Sequence, residues 1–285
     1  MRNSELFSSL VKGREAADEH MKFRTDLGDM WNEESVTDIL IQHAAPHVQP
    51  IRFNQRQEGE IGADWLWWWL DPSGDCFGLM VQAKSLKREG SRWHIDFNYR
   101  SGFQLDRLHQ TADHFDVPAG YMLYCGDTSY RAELPCGPRH TLPCAHCSRA
   151  GVSVIDAPSA RKLVMAYPNS ASVEAFQISS PLEDLADPDL TTDWRSFALG
   201  PILRGFISGP HTGAREIALR IFKHATRTMI FNLAGGVEAR IDAQASYFLR
   251  GWREDVPSYL RDAMAGRTLP SEVTENIAGI MVFHL

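Results

Sequence analysis

The densest apolar pattern in the chain is a pair of short runs separated by turn-forming residues. Residues 66–70 and 77–81 are almost entirely aromatic or aliphatic, and the sequence DPSGD occupies residues 71–75 between them. Two apolar runs joined by Asp, Pro, Ser and Gly predict a β-hairpin. With a five-residue loop, residues whose numbers sum to 146 face each other, starting with Leu70 and Cys76.

Helical spacing of apolar residues predicts a helix on each side of this hairpin. The first begins near Asn32, a good N-cap, and runs to about His47. The second covers residues 102–115. Three apolar segments then predict buried strands, at residues 119–124, 152–155 and 279–285.

Together these elements predict an α/β protein with a mixed β-sheet core flanked by helices. We predict that residues 1–165 form this core domain, and that residues 166–285 form a C-terminal α/β extension of unknown role, for which packing on the core stays open. A helix predicted from Ala214 places basic residues at 220, 223, 224 and 227 on one stripe. We interpret this stripe as a solvated face, with contact to nucleic acid or protein as the alternative.

Composition narrows the class of protein without naming its function. The chain has 285 residues and a formal net charge of −7, which argues against a protein that coats nucleic acid but allows a local basic groove. No apolar run approaches the roughly 20 residues that a membrane helix needs. Five cysteines are an odd number and do not suggest a secreted disulfide framework. We therefore expect a cytoplasmic protein with no membrane partner.

Polar residues occupy one face of the predicted hairpin. Asp64 and Gln82 lie opposite each other in the predicted register, and Lys84 shares their face because strand side chains alternate. Carboxylate and amide oxygens are hard ligands suited to Mg²⁺ or Mn²⁺, and a Lys can orient water or stabilise negative charge. The alternative interpretation is an ordinary core hairpin with a Lys that extends into water at a strand end.

Asp64, followed on the next strand by Gln82-Ala83-Lys84, resembles the PD-(D/E)XK, or restriction-endonuclease-like, nuclease superfamily. It is most similar to the Mrr-like variant, in which Gln replaces the second acidic residue. Residues 32–38 (NEESVTD), followed by 62–65 (GADW) and 81–84 (VQAK), also resemble a poorly characterised group of bacterial proteins. The resemblance covers about residues 30–165. It implies a metal-dependent nuclease acting on nucleic acid, DNA in preference to RNA, in a prokaryotic setting such as defence against foreign DNA.

The resemblance also implies roles for individual residues. Asp64, Gln82 and the main-chain carbonyl of Ala83 would hold Mg²⁺, and Lys84 would act in catalysis. Glu34, on the preceding helix, would support the metal or its water, with Glu33 as the next candidate and stabilisation of the helix dipole as the simpler role for both.

The chain departs from the superfamily pattern at two points. The residues before Asp64 are Ile-Gly-Ala instead of the Pro that often precedes the Asp, and Gln82 lacks the charge of a carboxylate. The second departure favours an alternative function, a nuclease-fold module without catalysis that binds nucleic acid or a protein. Monomer and homodimer both stay open.

Basic residues follow the proposed site, with an aromatic ring among them. Trp93 lies within this segment, and positive charge beside aromatic rings can follow a phosphate backbone and stack on bases. Gln104 matches a Gln that is often present near the active site of related nucleases, although a surface Gln is the simpler interpretation. The predicted nucleic-acid-binding residues are Lys87, Arg88, Arg92 and Gln104, and a solvated loop with ordinary charges is the alternative for the three basic residues.

A loop insertion near residues 125–150 contains Cys and His residues at spacings that suit zinc. One Cys-x-x-Cys pair with a further Cys and His could provide four ligands for tetrahedral Zn²⁺. Four protein ligands leave no open position, so we interpret this site as structural. Free thiols in a Pro-rich loop are the alternative. The four candidate ligands are Cys136, His140, Cys144 and Cys147.

Overall fold

A mixed sheet of nine strands lies at the centre of the protein, among the residues that the structure describes. The structure is a computed structural model that describes residues 4–53, 65–90, 92–97, 103–127, 130–131, 144–166, 171–190, 200–227 and 237–285. The strands are β1 (Val48–Arg52), β2 (Trp65–Leu70), β3 (Cys76–Glu89), β4 (Arg92–Ile95), β5 (Ala119–Tyr124), β6 (Val152–Asp156), β7 (Ser180–Pro181), β8 (Trp252–Arg253) and β9 (Gly279–His284).

The strand order is β1-β9-β2-β3-β5-β6-β7, and β4 and β8 each pair with β3. The β2–β9 and β3–β5 pairs are parallel, and the other pairs are antiparallel. This arrangement confirms the predicted α/β class with a mixed sheet flanked by helices.

Helices cover both faces of the sheet. They are α1 (Ser4–Asp26), α2 (Glu33–Ala44), α3 (Phe103–His114), α4 (Ala145–Arg149), α5 (Ala157–Ala166), α6 (Ala171–Ile178), α7 (Pro201–Ile207), α8 (Gly213–Arg227), α9 (Val237–Leu249), α10 (Ser258–Met264) and α11 (Ser271–Thr274), and a 3₁₀ helix spans Leu182–Leu185. Within the described ranges, no helix combines the length and apolar character needed to cross a bilayer.

Strand β2 contains three consecutive tryptophans and no polar residue because both of its faces are covered. Trp67 and Trp69 pack with α1, α2 and α8, whereas Trp68 packs with α3 and α10 on the other face. All three side chains are fully buried. A strand that is covered on both faces needs apolar side chains at every position, so strict alternation of apolar and polar residues is absent.

The hairpin register is confirmed over the described residues. Leu70 pairs with Cys76 and Trp65 pairs with Val81, so the paired numbers sum to 146 along the whole described ladder. The loop is closed by a hydrogen bond from the Asp71 amide to the Asp75 carbonyl at 2.9 Å. The predicted five-residue loop is therefore present.

The first predicted helix is shorter than expected. Asn32 caps α2, its side chain accepting from the Ser35 amide at 2.8 Å, as predicted. However, α2 ends at Ala44 instead of near His47. Pro46 cannot continue the helix, and the chain enters β1 two residues later.

The C-terminal residues belong to the same sheet as the hairpin. Strand β9 lies between β1 and β2, and the Phe283 ring stacks on Trp69 with ring centroids 4.8 Å apart. The predicted division at residue 166 therefore assigns strands of one sheet to two different segments. Residues 279–284 are part of the core, where the sequence analysis placed an extension.

The expected solvated stripe on α8 is wrong at Arg220, whose residue exposure is only 6%. Its guanidinium has five donors and satisfies main-chain carbonyls near the 3₁₀ helix, which a solvated face would leave to water. The side chains of His224 and Arg227, predicted on the same stripe, lie outside the described residues. The partners of Arg220 are Glu216 Oε1 at 3.0 Å and the main-chain oxygens of Asp184 at 3.1 Å, Leu185 at 2.9 Å and Leu190 at 3.1 Å.

A second buried ion pair joins α1 to the 3₁₀ helix. Glu183 is fully buried, and its Oε1 accepts from Arg14 Nε at 3.0 Å. Burial raises the pKa of Glu183 from 4.5 to about 7, and the nearby Arg14 and Arg149 guanidinium groups oppose that increase. The folded protein therefore holds this proton more tightly than the unfolded chain does.

Replacing Glu183 with Gln should flatten the pH dependence of stability. Because the folded pKa lies above the unfolded value, the proton's contribution is complete below pH 4.5 and is lost as the pH rises through about 7. We expect the wild-type urea midpoint to fall over this window more steeply than that of Glu183→Gln. The control is Glu15→Gln, which changes a 63%-exposed carboxylate paired with the same Arg14. Parallel curves for wild type and Glu183→Gln would contradict the assignment.

Candidate functional site

Strand β3 places two of the predicted site residues on one face of the sheet. Gln82 and Lys84 are 1% and 8% exposed. They share the face of Met80 and Leu86, which pack with Leu105 of α3 in one apolar cluster. An ammonium group that is mostly removed from water requires polar partners in the protein.

Gln104 of α3 provides one such partner. Lys84 Nζ donates to Gln104 Oε1 at 2.5 Å, a short, charge-assisted hydrogen bond. Gln104 is the second residue of α3, which follows β4 in the chain and returns across the sheet face next to β3. The structure thus brings together two residues that the sequence analysis had assigned to the same site for different reasons.

Asp64, the predicted metal-binding carboxylate, lies outside the described residues. It is bonded to Trp65, the first residue of β2, and Trp65 pairs with Val81, the residue before Gln82. The pairing of Asp64 with Gln82 therefore stays a prediction, while the ladder next to it is confirmed.

Of the two acidic residues that open α2, the structure places Glu33 against β3. Glu33 Oε1 accepts from both the amide and the hydroxyl of Ser85, each at 2.8 Å. Glu34 is exposed. Consecutive helical residues point about 100° apart, so only one of the two can face the strand. The predicted role of Glu34 at a metal has no contact with β3 to support it.

Ser85 is a residue that the sequence analysis missed. It follows Lys84 but points to the opposite face of the sheet, toward α2, and its carboxylate partner lies 52 residues earlier in the chain. The main-chain N–H of Ser85 is satisfied by Glu33 instead of by a β2 residue. No local sequence pattern identifies such a contact.

Further contacts hold α2 in place. The Thr37 hydroxyl bonds to the Glu33 carbonyl at 2.7 Å and lies 2.6 Å from the Tyr124 hydroxyl at the end of β5. Glu33 is thereby fixed relative to two adjacent parallel strands. The strand around Lys84 is therefore held by α3 on one face of the sheet and by α2 on the other.

The predicted basic segment forms a two-stranded extension of β3 with β4. Lys87, Arg88 and Arg92 are exposed, and the Arg88 guanidinium carbon lies 5.3 Å from the centre of the Trp93 ring. Trp93 in turn contacts Tyr130, with ring centroids 5.2 Å apart. Trp93 therefore packs the β3–β4 hairpin against the protein, and the three basic side chains are exposed on this hairpin.

The proposed zinc ligands are only partly described. Cys136 and His140 lie outside the described residues, Cys144 is half-buried just before α4, and Cys147 is buried within α4. Within the described part of the chain, no group of three or more His, Cys, Asp or Glu side chains is placed to hold a metal ion. The structural zinc site stays a prediction.

These features define a mixed α/β protein with a Gln-x-Lys pair at the centre of its sheet, between two helices that contact β3. Residues 9–283 match the family model described as "Family of unknown function (DUF6615)", and the chain belongs to this family. A comparison with curated proteins finds no match.

Proposed function

We propose that this protein is a metal-dependent nuclease that hydrolyses phosphodiester bonds of nucleic acid, DNA in preference to RNA. The observation that supports it most is the burial of Lys84, which lies two residues after Gln82 on β3. Its ammonium group donates a hydrogen bond to Gln104 of α3. A lysine in this position serves no packing purpose that an apolar residue would not serve better, because burying an ammonium group is unfavourable. We therefore infer that Lys84 is present for its chemical role at the site.

The donors available to a metal at this site are all oxygens. Asp64 offers a carboxylate, Gln82 a side-chain carbonyl and Ala83 a main-chain carbonyl. A small set of hard oxygen ligands fits Mg²⁺ or Mn²⁺, which keep several waters in protein sites. We propose that these three residues hold the ion, which when bound would polarise the phosphate and lower the pKa of a coordinated water.

The protein's own residues would position the substrate and stabilise charge. The Lys84 ammonium would stabilise the negative charge that develops on the phosphate and would orient the attacking water. Such electrostatic interactions are stronger where water is largely excluded. Gln104 would fix the direction of the ammonium, and Glu33 would fix the main chain at the next residue, Ser85.

The biological setting rests on the resemblance to Mrr-like restriction enzymes. That resemblance supports a cytoplasmic role in prokaryotic defence against foreign DNA. A homodimer would be compatible with this role, since two copies could cut the two strands of a duplex.

The second candidate function is a module of the same fold that binds nucleic acid or a protein without catalysis. Gln82 favours it, because a neutral amide binds a divalent cation less strongly than a carboxylate does. Metal binding separates the two candidates. The nuclease requires Mg²⁺ or Mn²⁺ at Asp64, and the binding module does not.

Titration with Mn²⁺, followed by electron paramagnetic resonance, tests this difference directly. We expect wild type to bind one Mn²⁺ that Mg²⁺ displaces, and Asp64→Ala to lose that binding. The control is Asp262→Ala, which removes a carboxylate that pairs with Arg267 on the surface. Equal binding by wild type and Asp64→Ala would reject the proposed metal site and favour the binding module.

A further inference from the structure

The β3–β4 hairpin extends beyond the rest of the described sheet. The pairing of β3 with β5 ends at Ser85, and its pairing with β2 ends at Val81 in the described ladder. Among the described residues, 86–89 pair with β4 alone. The turn begins at Gly90, whose positive φ of 60° suits a tight hairpin turn. The result is a two-stranded β-ribbon, residues 86–90 and 92–95, that projects from the described part of the sheet.

The two faces of this ribbon differ in chemistry. Leu86 and Ile95 pair on one face and are buried, and the Trp93 ring on that face contacts Tyr130. This face also carries Arg88 beside Trp93, and it attaches the ribbon to the protein. The other face carries polar and charged side chains only, namely Lys87 opposite His94 and Glu89 opposite Arg92.

The charge on the ribbon is opposite to that of the whole protein. Lys87, Arg88 and Arg92 are exposed cations accompanied by one carboxylate, Glu89, whereas the net charge of the chain is −7. No salt bridge within the described residues involves Lys87, Arg88 or Arg92. A polyanion is therefore the partner whose charge matches this surface.

The shape of the ribbon indicates which polyanion it fits. The major groove of B-form DNA is roughly 12 Å wide and admits a two-stranded β-ribbon, whereas the major groove of duplex RNA is too deep and narrow for side chains to read. Lys, Arg and Glu are residue types that form hydrogen bonds with base edges in that groove. The partner is accordingly double-stranded DNA.

The ribbon continues the strand that carries Lys84. At about 3.3 Å per residue, Lys87 lies roughly 10 Å and the end of β3 roughly 17 Å from Lys84 along the strand. At about 3.4 Å per base pair, these lengths correspond to roughly three to five base pairs. Because strand side chains alternate, Lys87 lies on the face of Ser85 and α2, opposite to the face of Lys84, so a duplex bound by the ribbon would lie at the end of β3 on the α2 side of the sheet.

We propose that the β3–β4 ribbon enters the major groove of duplex DNA and holds the duplex at the end of β3, on the α2 side of the sheet. The binding of the ribbon to DNA does not rest on the proposed nuclease function. Lys87 and Arg92 contact phosphates or base edges from the exposed face. Trp93 fixes the orientation of the ribbon through its contact with Tyr130.

Fluorescence anisotropy with a labelled DNA duplex tests the inference. Measurements in EDTA, without divalent metal, keep binding separate from cleavage. We expect Lys87→Ala/Arg92→Ala to weaken binding by about tenfold or more and to reduce the slope of log K against log salt by roughly one to two. The control, Arg204→Ala/Arg267→Ala, removes two exposed cations elsewhere and changes the net charge equally.

Groove-specific probes identify where the ribbon binds. We expect bulky substituents at the C5 position of pyrimidines, which fill the major groove, to weaken binding, and netropsin in the minor groove to leave it unchanged. Equal loss of affinity in both double variants, tighter binding to duplex RNA, or competition by netropsin would overturn the inference. Loss of DNA binding in the ribbon variant without cleavage by any form would retain the ribbon and reject the nuclease.

Discussion

A Lys84→Met variant is expected to lose metal-dependent DNA cleavage by about 100-fold or more while staying folded. Met keeps much of the apolar stem that packs in the sheet, but it lacks the ammonium group that bonds to Gln104. Removal of one preorganised charge-stabilising group typically lowers kcat by about 10²–10³. Single-turnover cleavage of a supercoiled plasmid measures the loss, and the urea midpoint measures folding.

Two comparisons make the Lys84 experiment specific. Lys12→Met removes an exposed lysine from α1 and should cleave at the wild-type rate. Mn²⁺ binding should be retained in Lys84→Met, because we assign no ligand role to the ammonium. Gln104→Leu should lower kcat with little change in KM, since Gln104 positions Lys84. Wild-type cleavage by Lys84→Met would exclude the proposed mechanism.

Replacing Phe283 with Ala is expected to destabilise the whole protein by about 3–5 kcal/mol. Phe283 is fully buried in β9, and its ring stacks on Trp69 and contacts Trp67 at a centroid distance of 5.1 Å. The cavity would therefore lie in the centre of the core. Urea unfolding monitored by tryptophan fluorescence measures the change. The same substitution at Phe23, which is 59% exposed, provides the control and should shift the midpoint only slightly.

The fragment of residues 1–165 provides a second test of the C-terminal strand. Without β9, β1 has no strand partner in the described sheet and β2 loses its parallel neighbour. We expect this fragment to show no cooperative unfolding transition. A stable, cooperatively folding fragment would instead support the predicted division at residue 166.

The sequence predicts the hairpin well because its determinants are local. The loop at residues 71–75 fixes the register, and the apolar runs beside it identify the strands. The N-cap at Asn32 and the strand at residues 119–124 are likewise predicted by the residues that form them. The same local logic placed Gln82 and Lys84 on one face.

Contacts between distant segments were not predictable in this way. Nothing in residues 279–284 indicates that this strand lies between β1 and β2, because any apolar strand could occupy that place. The bond between Glu33 and Ser85 depends on how α2 packs on β3. For Arg220, helical spacing shows which charges share a face but not that main-chain carbonyls lie against that face. These are properties of the tertiary structure.

Cleavage of a mixed set of substrates tests the central claim most directly. Wild type and Asp64→Ala would be incubated with Mg²⁺ or Mn²⁺ and supercoiled plasmid, linear duplex DNA, single-stranded DNA or RNA, with EDTA as the control. We predict metal-dependent cutting of DNA by wild type, loss of cutting in EDTA, and no cutting by Asp64→Ala. Absence of cutting by wild type, or equal cutting by both proteins, would contradict a nuclease site built on Asp64, Gln82 and Lys84.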